Sequence, residues 1–118
     1  MSEIQKISWK TIEKEKLSDH VSRQTVFGEK GTLARFFAKG GGAAARHSHV
    51  NEEYSLISSG AVKFIFDDRE VVVNAGEVLV ISPNTPHSIV VVEDAVFVEF
   101  FAPVREDWLW GEDQYLRG

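Results

Sequence analysis

From residue 32 onward the chain alternates. Leu33, Arg35 and Phe37 fall on one side of an extended segment and Ala34, Phe36 and Ala38 on the other, a period of two that predicts a strand over 32–39. Two β-rich runs, 61–66 and 70–74, flank Asp67-Asp68-Arg69 and read as a hairpin. Ala75-Gly76 turns the chain into a further strand over 77–81. Ser82-Pro83-Asn84-Thr85-Pro86 is a second sharp turn, followed by strands over 87–93 and 96–102. Short β-branched strands at nearly even spacing predict an all-β fold, a small antiparallel barrel or sandwich.

The two ends are less regular. Residues 4–28 mix strand and irregular signals, with Ile4, Ile7, Trp9, Ile12, Leu17, Val21, Val26 and Phe27 unevenly spaced, and 10–16 suits helix or loop. The tail carries Trp108, Leu109, Trp110, Tyr115 and Leu116, which need something to pack on; a short helix or an arm against the barrel would serve. Gly40-Gly41-Gly42-Ala43-Ala44-Ala45 predicts a flexible or tightly turning loop. A chain of 118 residues is one domain's worth. We expect a barrel core over about 32–102, an N-terminal arm over 1–31 and a C-terminal tail over 103–118.

Composition narrows the function classes. Eighteen acidic and 13 basic side chains leave a net charge of −5, which argues against nucleic-acid and anionic-membrane partners. The absence of cysteine excludes a disulfide framework, cysteine-ligated zinc and a cysteine nucleophile. No apolar run reaches the length of a membrane span, and the stretch from Met1 to Lys6 lacks the apolar core of a signal peptide. The expected compartment is the cytoplasm.

Chemistry concentrates in the histidines. His47 and His49 are two apart in a segment read as extended, so both imidazoles leave one face, and Glu53 shares their parity. Two imidazoles and a carboxylate suit manganese, iron, nickel or zinc. His87 starts a later strand, from which it can supply a fourth ligand. Taken alone, a His-x-His pair is more often two solvated or core side chains than a metal site. His20 lies apart from these and reads as a surface or loop histidine.

The spacing of Gly41, His47, His49, Glu53 and Gly60 resembles the first motif of the cupin family without a mismatch. The run from Gly76 to His87 is similar to the second, with the glycine-to-histidine spacing intact. Ser82, Asn84 and Val91 depart from that second pattern at non-ligand positions. The resemblance implies a double-stranded β-helix, or jelly-roll, with one divalent metal held by His47, His49, Glu53 and His87.

The last strand adds a carboxylate. Phe97, Glu99 and Phe101 share one face, and Val96, Val98 and Phe100 form a uniformly apolar other face. A carboxylate between two phenylalanines on a buried strand needs a partner or a task, and desolvation would raise its pKa toward general acid–base use. Arg105, just past the strand, can close as a fork on a substrate carboxylate. The structural alternatives are a Glu99–Arg105 ion pair, Phe101 as core and Arg105 as a solvated rim charge.

The run Glu99, Phe101, Arg105, then Glu106-Asp107-Trp108-Leu109 is similar to the tail of small pectin-degradation cupins, in which aspartate usually stands at the position of Glu99. That resemblance implies ring opening of 4,5-unsaturated uronic acids to 5-keto-4-deoxyuronate, with Glu99 carrying protons, Arg105 holding the uronate carboxylate and Phe101 walling the site. The extra methylene of Glu99 moves its carboxylate by roughly 1.5 Å, a displacement that matters to catalysis. A non-catalytic sugar-acid binding module and an iron-dependent oxygenase are the alternatives. A homodimer is the expected assembly, with Trp108, Trp110 and Leu116 as candidate contacts.

Overall fold

A computed structural model describes residues 3–117. Met1 and Ser2 of the expected arm and Gly118 of the expected tail lie outside the described residues. The strands, in chain order, are β1 (Glu15–Lys16), β2 (Val21–Phe27), β3 (Thr32–Ala38), β4 (Ala43–His47), β5 (Glu52–Phe66), β6 (Glu70–Asn74), β7 (Val78–Ile81) and β8 (His87–Ala102). One helical turn, α1 (Glu106–Leu109), and two 3-10 turns at Trp9–Thr11 and Gln114–Leu116 complete the chain.

All pairings are antiparallel, in the order β1-β2-β3-β8-β5-β6, with β4 added on β8 and β7 on β5. This is the jelly-roll arrangement, and β5 and β8 are its spine. The expected strand over 61–66 is only the second half of the 15-residue β5, and those over 87–93 and 96–102 are one 16-residue strand. Both halves of β5 pair with β8, and the register shifts around Ser59 to Val62. Gly60 sits at that corner with φ +78°, where a Cβ would fall 2.1 Å from the Asp94 carbonyl oxygen. Only glycine lets the two backbones cross so closely. The paired strands can therefore bend together and serve both walls.

Alternation sorts the side chains as the sequence predicts. In β3, Thr32, Ala34, Phe36 and Ala38 point inward; in β8, Ala95, Phe97, Glu99 and Phe101 do. Phe36 and Phe97 stack across the strands at 5.0 Å, closing one part of the core. The apolar even face of β8 is the outer one, leaving Phe100 38% exposed. Of the expected N-terminal arm, residues 15–27 join the sheet through β1 and β2, and residues 9–14 lie over β2 and β3. Gln24 donates to the Trp9 and Ile12 carbonyls, and Lys14 and Arg35 lie over the Phe37 ring.

Candidate metal centre

The three motif histidines come from two strand ends and one loop. His47 is the last residue of β4 and pairs directly with His87, the first of β8, so register alone brings their rings to 4.3 Å. His49 does not continue the strand, as its spacing suggested. Residues 48–51 form a loop between β4 and β5, pinned by buried Asn51, whose side chain donates to the Pro103 and Val104 carbonyls. That loop turns His49 back toward the other two, so a ligand-bearing atom from each imidazole lies within 4.8 Å of the others. His20 is exposed and apart.

Each ring is oriented by the backbone. His47 Nδ1 donates to the Ala45 carbonyl, His49 Nδ1 to Asn51 and His87 Nδ1 to Thr85, at 2.6, 3.0 and 2.8 Å. A carbonyl oxygen can only accept, so Nδ1 carries the hydrogen and each Nε2 presents a lone pair. His87 Nε2 is buried with no hydrogen-bond partner. His49 Nε2 faces Glu53 Oε1 at 3.1 Å, and His87 Nε2 lies 3.7 Å from the same oxygen. Acceptors converging on one another call for a cation between them. The donor set fits a divalent transition metal.

Electrostatics favour the metal-ready protonation states. Burial pushes His47 down to about 4, against its hydrogen bond to Ala45, and the neighbouring imidazoles push the same way. Burial also lowers His87, outweighing the pull of the Glu53 charge. Glu53 is 2% exposed; burial raises its pKa, but its side-chain contacts with His49, Glu99 and Ser55 and the charge of His87 outweigh that and bring it to about 2. Two neutral imidazoles and a carboxylate are thus in place at neutral pH.

Glu99 lies beside this group. Ser55 Oγ meets Glu53 Oε2 at 2.8 Å and also Glu99 Oε2. Burial, then the charge of Glu53, lifts Glu99 well above the ordinary carboxylate value. The carboxyl borders a narrow cavity of about 30 Å³ with Phe36, Ala44, Phe97 and Leu116. Phe101, 1% exposed, packs its ring against His49 at 5.6 Å, so it is both core and site wall.

Arg105 is neither Glu99's ion-pair partner nor a solvated rim charge. It is 1% exposed and its Nε and Nη2 bind the two Asp107 carboxylate oxygens at 2.9 and 2.7 Å. Nη2 also meets the Tyr115 hydroxyl, and the guanidinium stacks on Phe101 and Trp108. Burial lowers the Arg105 pKa, but the Asp107 hydrogen bonds, with the Tyr115 and Asp107 charges, leave it raised. Its buried fork follows from these partners: a bidentate carboxylate and two aromatic faces replace the water it loses.

Four contributors escaped sequence reasoning: Asn51, Ser55, Asp107 and Tyr115. Asp107 stood in the quoted tail run without a role, and its two-residue spacing from Arg105 could have suggested the fork. Tyr115 stacks on His47 with centroids 4.1 Å apart and planes 22° from parallel. No local signal points to that contact. Of the side chains expected at a dimer contact, Trp108 is buried in its own barrel and Leu116 packs partly against it, leaving Trp110 69% exposed.

Fold and site together define a small antiparallel jelly-roll with a histidine cluster able to hold a metal where β4, β5 and β8 meet. Residues 35–101, more than half of the 118, match the cupin domain family, and the chain belongs to that family. No curated protein sequence matches it. Among solved structures, an RmlC-like cupin from Shewanella frigidimarina superposes with a TM-score of 0.79 at 21% identity, over 86% of this chain and 93% of that one. KdgF from Halomonas sp. gives 0.78 at 16%, over 86% and 96%. An RmlC-like cupin from Desulfovibrio desulfuricans gives 0.69 at 26%, over 85% and 99%. No helix among the described residues is long and apolar enough to cross a membrane.

Proposed function

We propose that this cupin opens the ring of 4,5-unsaturated uronic acids with a divalent metal held by His47, His49, His87 and Glu53. The observation that carries the reading is Glu99: a buried, proton-holding carboxyl bordering a cavity, linked through Ser55 to Glu53 beside the histidines. The likeness of its tail to pectin-degradation cupins supplies the substrate class. The fold shared with KdgF is compatible with it.

Bound metal would supply Lewis-acid polarisation of substrate oxygens. The remaining chemistry is proton movement. The anomeric hydroxyl loses its proton, the C1–O5 bond breaks with its electron pair staying on O5, and C1 becomes an aldehyde. C4 of the resulting enolate then takes a proton, leaving a ketone at C5. Glu99 gives its proton to C4 and is reset by the one released from the anomeric oxygen, so no oxidant or reductant is needed. Phe101 walls the site. Arg105 takes the uronate carboxylate in exchange for Asp107.

The experiment is to determine bound metal by elemental analysis, then mix the protein with lyase-generated unsaturated galacturonate and follow absorbance of the conjugated double bond. Loss faster than in buffer, abolished by chelation, supports the reading; no change with fully loaded protein removes it. A second reading, a sugar-acid binding module without turnover, is favoured by the small size of the cavity and by the hold of Asp107 on Arg105. Binding without absorbance loss distinguishes it.

A homodimer also remains our proposal, with Trp110 as the exposed aromatic to test. Sedimentation of Trp110→Glu should give monomers; an unchanged dimer excludes this residue from the contact.

A further inference from the structure

After α1 the chain lies across the histidine cluster without joining the barrel's hydrogen-bond ladder. Among the described residues, the backbone amides of 111–117 that bond to backbone reach only α1 or the tail itself: Gly111 to Trp108, Glu112 to Asp107, Leu116 to Asp113 and Arg117 to Gln114. Side chains make the attachment. The Tyr115 ring covers His47, and its hydroxyl donates to Asp107 and accepts from Trp108 Nε1 at 3.1 Å. Leu116 borders the cavity that Glu99 faces. Asp113, 1% exposed, accepts from Arg23 Nη2 at 2.9 Å and from Arg117, which also reaches Glu15. At the start of the segment Gly111 has φ +74°, with open space where a side chain would be.

Size makes the consequence. A cavity of about 30 Å³ has room for one or two waters, whereas pockets for small organic ligands run to roughly 300–1,000 Å³. A sugar acid does not fit beside Glu99 while Leu116 lines that cavity. An attachment made of one ring stack, the Tyr115 hydroxyl's hydrogen bonds to Arg105, Asp107 and Trp108, one apolar side chain and one cluster of charges can be released as a unit, because no ladder has to be unzipped.

We propose that residues 111–117 form a hinged lid over the histidine cluster, turning at Gly111 and latched by Asp113 on Arg23 and by Arg117 on Glu15. Opening admits the ligand; closing seats Tyr115 on His47 and returns Leu116 to the cavity wall. The chemical identity of the ligand does not enter, but the metal readout below rests on the histidines as a metal centre.

The test pairs two measurements on the full chain. The first is hydrogen exchange: amides of 112–117 should exchange at least tenfold faster than those in the centres of β5 and β8. The second is the rate at which excess EDTA strips cobalt(II) from the loaded protein, read by loss of its visible absorbance. Asp113→Asn should accelerate stripping about tenfold, with Arg117→Gln, a substitution at an exposed position, moving the rate in the same direction. Tail exchange as slow as that of the central strands overturns the lid, as does an unchanged stripping rate in both variants. Failure of the protein to load cobalt sinks the metal reading instead, and hydrogen exchange then decides the lid alone.

Discussion

Glu53 and Glu99 share one hydroxyl. Ser55 Oγ lies within hydrogen-bond distance of a carboxyl oxygen of each, and all three side chains are buried. A serine hydroxyl has a single hydrogen and can donate to only one of them, so the other must bring a proton of its own. The opposite pKa shifts say which: Glu53 is held down by its partners, and Glu99 is pushed up by burial and by the Glu53 charge. The relay runs from the Glu99 acid to Ser55 and from Ser55 to the Glu53 carboxylate. The same carboxyl pair thus presents a charge toward the histidines and an acid toward the cavity.

Glu99→Gln is therefore close to isosteric with the resident acid. It should fold, keep the metal stoichiometry of the parent, and gain stability relative to it as pH rises. The sign follows from protons. A raised folded pKa means that the native state binds the proton more tightly than the unfolded chain, so the parent loses this contribution as pH climbs past the ordinary carboxylate value, and glutamine does not. Turnover of unsaturated uronate should fall at least a hundredfold. Urea midpoints across pH and the absorbance assay check the two halves, and retained turnover removes Glu99 from the chemistry.

Ser55→Ala removes the shared hydroxyl and leaves two buried carboxyls without their bridge. Losing a buried partner costs about 1–3 kcal/mol. We expect the protein to fold with that loss of stability and with the Glu99 titration displaced. Urea unfolding, with a carbonyl-region infrared titration, measures both; an unchanged midpoint would deny the hydroxyl its bridging role.

How much of this was legible follows from which partners are local. The alternation of β3 and of 96–102 and the hairpin at Asp67-Asp68-Arg69 each lie within a short stretch of chain, and the structure has them in strands as expected; of the histidine motif, His47 ends β4 and Glu53 lies in β5, but His49 sits in the loop between them rather than on the expected extended segment. Strand β2 was blurred because Arg23 and Gln24 are polar yet buried, under Trp108 and the N-terminal arm respectively. The charged, exposed stretch around Glu93 and Asp94 looked like a break in β8 but is the outside of its bend. Glu99 was recognisable as a group needing a partner, but Ser55 lies 44 residues away in the sequence. Tyr115 and Asp113 meet partners on β4 and β2, contacts that no periodicity encodes.

Gly60→Ala tests the bend itself. The new methyl would meet the Asp94 carbonyl oxygen at 2.1 Å and the Ala95 Cα at 2.8 Å, both backbone atoms, in a conformation with positive φ. No rotamer change relieves such a contact, so β5 and β8 must separate where they turn between walls. We expect a loss of about 3 kcal/mol or more. A fall in urea midpoint with little change in slope would be the signature, and a midpoint within experimental error of the parent would exclude a strained crossing.

Acid should destabilise the metal-free protein in two stages. His47 is held near 4 and His87 below the ordinary histidine value, both chiefly by burial, so from about pH 6.5 downward the unfolded chain takes up protons that the folded one refuses. Stability present above that pH is lost as it falls toward 4. Glu53, brought to about 2, adds its own loss only from the ordinary carboxylate range down to that value. A bound metal competes for the same nitrogen lone pairs. It should raise the melting temperature at neutral pH by mass action, about 4 kcal/mol at a free concentration 1,000 times the dissociation constant, and delay the upper acid stage until protons displace it. Melting curves from pH 8 to 4, with EDTA and with zinc, separate the two effects. If the EDTA-treated protein is equally stable at pH 7 and pH 4.5, the imidazoles are not buried in the neutral state. If zinc leaves the curves unchanged, they do not share a metal.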